Sequence, residues 1–319
     1  MMTNHLPQRK TKRTMAIAPR RRAGTWLTAH VAQRLLPLIR TQRNFHFATR
    51  QVAAPEAVDV PTRHGTVRCL VYRPHPDAPL AAASPDGPPV HLHLHGGAFI
   101  VRRPRQEEYI AQFIASEVGA VVVLADYATA PQSRYPVAEH QCFDVARWLR
   151  TENAVRGWDT SRMSVSGASA GAKLALNVCQ QAHAGGEFAL CAAVLAFPVV
   201  DLSRTDRTSA KRHPRISPLI QRLAIDAYVV DPCLRHQPLA SPVFDAGLPD
   251  ALPPTLIMTG ELDTLGPEGD ALAAQLARSG VATTHYRFSA TDHGFTKSET
   301  ATAHAAMKLI GAHLVRYLA

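Results

Sequence analysis

Apolar and polar positions alternate along this chain in two distinct periods. Trp26, Leu27, Val31, Leu35, Leu38 and Ile39 recur close to every 3.6 residues, which predicts an amphipathic helix over 25–41, bent at Pro37. Residues 58–72 predict two short strands around His64-Gly65, and the Pro-, Ala- and Asp-rich stretch 74–89 reads as a surface loop. A repeating order follows: strand 90–95, helix 107–118, strand 120–126, helix 137–150, strand 163–166, helix 170–184, strand 190–197. Continuous apolar runs such as 120–126 suit strands buried on both faces of a parallel sheet. Residues 201–250 break the rhythm, being polar, proline-containing and only locally helical around 218–230. It resumes with strand 255–259, helix 268–279, strand 284–288 and a terminal helix from Glu299. This alternation predicts an α/β fold, a mostly parallel central sheet with helices on both faces. The interruption and the N-terminal helix read as material lying over one end of that sheet. The expected division is an arm with a cap helix over 1–55 and a main domain over 56–319.

Composition narrows the class. With 46 % apolar and 19 % charged residues, wholesale disorder is excluded. The longest near-apolar run, 188–200, contains Pro198 and falls short of the ~20 residues a bilayer span needs. Cys69, Cys142, Cys179, Cys191 and Cys233 are scattered and never in C-x-x-C spacing. That argues against a disulfide framework or thiolate zinc site and for a reducing compartment, so the expected location is the cytoplasm. Cys142 and Cys179 are expected in the core.

The net charge of +10 would point to nucleic acid if it were spread over the chain. It is not. Residues 1–55 hold 11 Lys or Arg and no acid, while the remaining 264 hold 24 basic and 25 acidic residues. The excess belongs to the arm, which reads as a solvated tail; peripheral contact with acidic surfaces stays open, and no nucleic-acid partner is expected. Arg20–Arg22 also invites a twin-arginine export reading, but 23–40 is broken by His30, Arg34 and Pro37 and lacks a small-x-small cleavage site.

The chemistry gathers just after predicted strands. Strand 163–166 runs into Gly167-Ala168-Ser169-Ala170-Gly171 and then a helix. A sharp strand-to-helix turn exposes the central serine, and it needs small neighbours because side chains there would collide with adjoining elements. A serine needs a base and an orienting acid. Asp292-His293-Gly294-Phe295 follows one strand and Glu261-Leu262-Asp263 another. His95-Gly96-Gly97-Ala98-Phe99 follows a third, where a glycine loop can turn N–H groups toward an oxyanion, with Ala170 N–H as a further donor. Open α/β sheets place their ligands at these carboxyl ends. His91, His93 and His95 alternate and could share a strand face, but no carboxylate or further histidine nearby in sequence completes a metal set. Glu268 and Asp270 fall at a helix start, where the dipole favours acids.

These motifs resemble those of the hormone-sensitive-lipase-like (bacterial family IV) esterases of the α/β-hydrolase superfamily. The likeness runs from about Val90 to the C-terminus. It is carried by the H-G-G-x-F loop, 127–131 with Tyr135-Pro136, Arg147-Trp148-Leu149, Gly157-Trp158-Asp159, the G-x-S-x-G turn, 197–201, 260–263 and His293-Gly294-Phe295. The resemblance implies Ser169 as nucleophile, His293 as base, Asp263 as acid, and Gly96, Gly97 and Ala170 as oxyanion donors. It implies a serine carboxylesterase for short-to-medium acyl esters, with no metal or cofactor, a small-molecule ester as partner, and a helical cap of the N-terminal helix and the 201–240 insertion shaping the substrate pocket. Asp201 matches a family position and is assigned a structural role. Departures from the usual pattern are Ala98, Ala168, Ala172, Gln132, His140 and Gln141. An amidase, transacylase or deacetylase on the same triad, a catalytically silent binding module, and a homodimer stay open.

Overall fold

The computed structural model describes residues 27–31, 33, 34, 45–82 and 86–319, apart from the side chains of 153 and 154. Residues 1–26, which carry the clustered arginines, lie outside the described residues, as do 35–44 with the expected bend at Pro37.

Eight strands form one sheet: β1 (Glu56–Thr62), β2 (Gly65–Tyr72), β3 (Pro89–Leu94), β4 (Val121–Ala125), β5 (Asp159–Ala168), β6 (Ala192–Ala196), β7 (Thr255–Gly260) and β8 (Thr283–Phe288). Their order is β1-β2-β4-β3-β5-β6-β7-β8. The β1–β2 hairpin and the β2–β4 pair are antiparallel, and every later pair is parallel. The central strands β3, β4, β6 and β7 are buried at every position. Helices cover both faces of the sheet, which is why β4 and β6 read as unbroken apolar runs, while β3 carries His91 and His93 into the interior. Edge strand β8 is exposed over most of its length and alternates accordingly.

Six main helices pack against the sheet or above it: α1 (Glu108–Phe113), α2 (Val137–Thr151), α3 (Ala170–Gly185), α4 (Pro218–Tyr228), α5 (Gly266–Arg278) and α6 (Ala301–Leu318). The single helix expected over 107–118 is three pieces, a 3₁₀ turn, α1 and a wide π turn ending at Gly119. Gly119 has φ +93, and an added Cβ would lie 2.6 Å from Ala81 N, so no other residue closes this turn so tightly. Strand β5 begins at Asp159, four residues earlier than expected, because its first positions are polar and only partly covered.

Residues 27–31, 33 and 34 are helical. The face turned to the body differs from the expected apolar stripe: Leu27 and Val31 are exposed, whereas Ala29 is buried. Gln33, one turn beyond Ala29, donates through Nε2 to Ile100 O at 3.0 Å. The 201–250 segment lies over the carboxyl ends of the strands. Ser209 Oγ donates to Leu262 O (2.6 Å), and Arg215 Nη1 donates to His293 O (3.1 Å). No helix of the described residues is long and apolar enough to cross a membrane.

Candidate active site

Ser169 stands at the tip of the β5–α3 turn with φ 55 and ψ −116, backbone geometry that L residues adopt only under constraint. The constraint is visible in its neighbours. A Cβ on Gly167 would meet the Gly171 carbonyl group at 2.2 Å, and one on Gly171 would sit 1.9 Å from Leu94 O. The two glycines therefore let β5, α3 and β3 converge beneath the serine, whose own N–H is held by Ala196 O at 2.9 Å.

The structure brings Ser169, His293 and Asp263 together in one line. His293 Nε2 is 2.9 Å from Ser169 Oγ, and Nδ1 is 2.8 Å from Asp263 Oδ2. A carboxylate only accepts, so the Nδ1 proton faces Asp263 and the Nε2 lone pair faces the serine hydroxyl. Asp263 has a fully buried side chain and also accepts from Leu265 N at 2.9 Å, which fixes the plane of its carboxylate. The Phe197 ring packs edge-on against His293, centroids 4.8 Å apart. The loop carrying His293 is pinned by Asp292, which accepts from His293 N (2.7 Å), Lys211 Nζ (2.9 Å) and Arg215 N (3.0 Å). Burial raises the Asp292 carboxyl, but these bonds outweigh it and hold the group below the usual aspartate range.

The other acids near β7 separate clearly. Glu261 Oε2 accepts from Ala290 N at 2.7 Å and does not touch the histidine. Asp270 reaches Thr259, His285 and Arg287. Glu268 does more than face a helix N-terminus, contrary to the sequence reading: it pairs with buried Arg207 and accepts from Val200 N at 3.1 Å. Burial raises its carboxyl despite the arginine. Asp201 holds Ser203 N and Oγ, a turn-forming role as expected.

The glycine loop after β3 contains a correction. Gly96 N–H is bonded to both carboxylate oxygens of Glu107, at 3.2 and 3.1 Å, so it does not point to an oxyanion. Gly97 and Ala98 line the cavity beside Ser169, and Ala98 and Ala170 line a second one on its other side. Ala98, met in the sequence only as a departure from a third glycine, has φ 55.

The histidine strand explains how that loop is held. It meets a carboxylate that the sequence reading did not place there: Glu107, at the start of the next helical segment, folds back beneath the loop. His93 Nε2 donates to Glu107 Oε2 at 3.0 Å, and its Nδ1 lies 2.7 Å from Ser166 Oγ. Ser166 Oγ also lies 2.6 Å from His91 Nε2, and His91 Nδ1 lies 2.8 Å from Ser164 Oγ. Burial pushes His91 well below the ordinary value. Lys297 Nζ completes the set 2.8 Å from Glu107 Oε1. Burial raises the Glu107 carboxyl, yet Lys297 and His93 overcome this and leave it well below the usual range. Among the described residues no group of three or more His, Cys, Asp or Glu could hold a metal ion.

A further feature gave no sequence signal. Lys173, one turn after Ser169 on α3, is fully buried and paired with Glu139 of α2, which also accepts from Tyr228 OH of α4 at 2.6 Å. The rings of Phe99, Tyr135 and Tyr228 surround the ammonium at 5.6–5.9 Å. Burial lowers the Lys173 pKa, with Glu139 opposing. The cluster ties α2, α3 and α4 together behind the serine.

Comparison with known proteins points the same way as the geometry. The profile of a family described by the alpha/beta hydrolase fold matches residues 91–297. The chain is 30 % identical to an arylesterase of Saccharolobus solfataricus over 227 residues, covering 70 % of this chain and 73 % of that one. It is 31 % identical to an ethyl acetate hydrolase of Pseudomonas putida, covering 69 % of each. Among solved structures, a thermostable esterase from Pseudomonas putida ECU1011 superposes with a TM-score of 0.80 at 26 % identity, covering 92 % of both chains. A Pyrobaculum calidifontis esterase gives 0.76 at 26 %, with the same coverage.

Proposed function

This chain belongs to the hormone-sensitive-lipase-like branch of the α/β-hydrolase family, and from that premise we propose that it is a serine carboxylesterase acting on short-to-medium acyl esters. The observation that carries the reading is the unbroken line Ser169–His293–Asp263, of which Ser169 and His293 line a cavity of about 140 Å³. In this reading His293 takes the Ser169 proton as Oγ attacks the ester carbonyl, while Asp263 stabilises the imidazolium that forms. We assign the oxyanion hole to the N–H groups of Gly97, Ala98 and Ala170, Gly96 N–H being held by Glu107. His293 then protonates the departing alcohol and later activates the water that releases the acid. Ester is preferred over amide because an alkoxide leaves more readily than an amide anion.

We assign the cap to the N-terminal helix and the 201–240 segment. Ile216 and Ile220 support this, since each lines both cavities flanking Ser169. Cytoplasmic location remains our reading of the five unpaired cysteines.

The test is a p-nitrophenyl ester series from acetate to octanoate, with and without EDTA, using Ser169→Ala as control. Turnover that survives the chelator and falls at least roughly 10³-fold in the variant is the expected result. A variant that keeps its activity, or a protein in which a fluorophosphonate labels no serine, would end the reading.

A further inference from the structure

The mechanism divides a bound ester into two halves, and the structure surrounds those halves differently. The leaving alcohol receives its proton from His293 Nε2, so it must lie in the cavity His293 lines. The smaller cavity, about 40 Å³, is lined by Ser169 and Ala170 but not by His293, and is walled by Val199, Leu202 and Leu265. That apolar space takes the acyl chain.

The alcohol side is cationic. Arg103, Arg215 and Lys297 line it, with Glu107 as the lining carboxylate. Glu107 lies beneath the loop and is fully buried, its oxygens occupied by Gly96, His93 and Lys297. Arg215 is exposed, donates to the carbonyls of His293 and Gly294, and has no carboxylate partner among the described residues. It ends the run Lys211-Arg212-His213-Pro214-Arg215, in which Lys211 pairs with Asp292.

The charge continues outward. Arg103 and Gln106 are shared with a second, open depression that also carries Arg68, Arg102 and Arg105. Asp126 is its lining carboxylate, and Arg102 already engages it. Cationic side chains therefore extend from the histidine side of the serine to β2, with Arg105 paired to Glu108, while the charged side chain lining the acyl side, Arg207, is buried and paired with Glu268. A low-dielectric cleft lined by one sign of charge concentrates ligands of the other sign.

We propose that the preferred substrates are short-chain acyl esters whose alcohol or phenol portion carries a phosphate or carboxylate, received between Arg215 and Arg103. The inference rests on the esterase reading. No new chemical step is involved: the ester C–O bond breaks, His293 supplies the proton to the leaving oxygen, and the anion departs with the alcohol.

The experiment compares 3-acetoxybenzoate and 3-acetoxyphenyl phosphate with the neutral isostere 3-acetoxybenzamide, on the full-length protein. We expect kcat/KM for at least one anionic ester to exceed that for the amide-bearing ester by roughly tenfold at about 0.01 M salt, chiefly through KM. The preference should collapse toward parity at about 1 M salt, where the Debye length shrinks from ~30 to ~3 Å. Arg215→Gln and Arg103→Gln should each reduce the ratio at least roughly threefold. The two anionic arms read out whether phosphate or carboxylate is taken. Parity or discrimination against both anions at low salt, with the neutral ester turned over, overturns this inference and leaves the esterase reading standing. Failure to hydrolyse any of the three overturns the esterase reading itself. A preference that survives high salt and both substitutions also overturns the assignment, and the salt series decides should a variant fail to fold.

Discussion

The identity of the acid is the most exposed point of the catalytic reading, and Asp263→Asn tests it directly. The substitution keeps shape and volume in a fully buried side chain. Leu265 N–H, 2.9 Å from Oδ1, needs an oxygen there, so the new NH₂ group must take the Oδ2 position facing His293 Nδ1. An NH₂ only donates, and the imidazole must then move its proton to Nε2, where it faces Ser169 Oγ and can no longer accept. The base is lost although no atom has moved. In the serine-protease triad the same change costs ~10⁴ in kcat, equivalent to about 5 kcal/mol of barrier. Here a loss of at least roughly 10²-fold is expected, with the circular dichroism spectrum unchanged. Glu261→Gln is the matched control, because Glu261 only accepts from Ala290 N near the surface, and less than about tenfold should be lost. Kinetics on p-nitrophenyl acetate with a melting curve for each variant make the comparison. If Glu261→Gln is the crippling change and Asp263→Asn the mild one, the assignment of the acid is wrong.

Stability should fall on mild acidification. His91 and His95 are buried and pushed below the ordinary value of about 6.5, so the unfolded chain binds more protons below that pH. Their contribution is complete above about pH 6.5 and falls by up to about 1.4 kcal/mol per histidine for each pH unit below it, until the folded-state pKa is reached. A melting temperature flat from pH 7.5 to 5.5 would contradict this. Gly171→Ala should prevent correct folding, since its Cβ would lie 1.9 Å from Leu94 O. Gly186→Ala, at φ +60 with no atom within 4 Å, should cost only about 1–2 kcal/mol, and comparable melts for the two would refute the packing argument.

The order of elements was legible because buried strands and amphipathic helices impose their periods locally. Ser169, Asp263 and His293 were legible for a related reason. Each sits within a few residues of the end of a strand, β5, β7 or β8, so sequence position already implied position in space. What escaped were contacts closed by the tertiary fold. Glu107 reads as an ordinary acid at a helix start, and nothing local announces His93 and Lys297 as its partners. Lys173 and Glu139 occupy helical positions that a charge normally turns to water, yet both are fully buried as a pair. Gly96 looked interchangeable with Gly97 as an oxyanion donor. Only the direction of its N–H, set by Glu107, separates them.

Glu107 therefore links three parts of the molecule that sequence reading kept apart: the polar core of β3 and β5, the glycine loop, and the segment following His293. Its carboxylate receives Gly96 N–H, His93 Nε2–H and the Lys297 ammonium, all from separate directions. Glu107→Gln keeps the shape but offers one oxygen and one NH₂ to three donors. At least one donor must then lose its acceptor, and a buried hydrogen bond to a charged group is worth about 1.5–3 kcal/mol. If the donor lost is Gly96 N–H, the loop relaxes and the adjoining N–H groups of Gly97 and Ala98 drift from the position of the forming oxyanion. Because those groups bind the transition state more tightly than the ground state, the loss belongs in kcat rather than KM. We expect kcat on p-nitrophenyl acetate to fall roughly ten- to a hundredfold with KM changed less than about threefold, and melting to drop by several degrees. Lys297→Met removes one of the donors and leaves Gly96 N–H its acceptor, so it should lower stability while reducing kcat far less. A Glu107→Gln enzyme with lowered stability but unchanged kcat would show that Glu107 supports the fold alone and that the loop holds its catalytic shape without it.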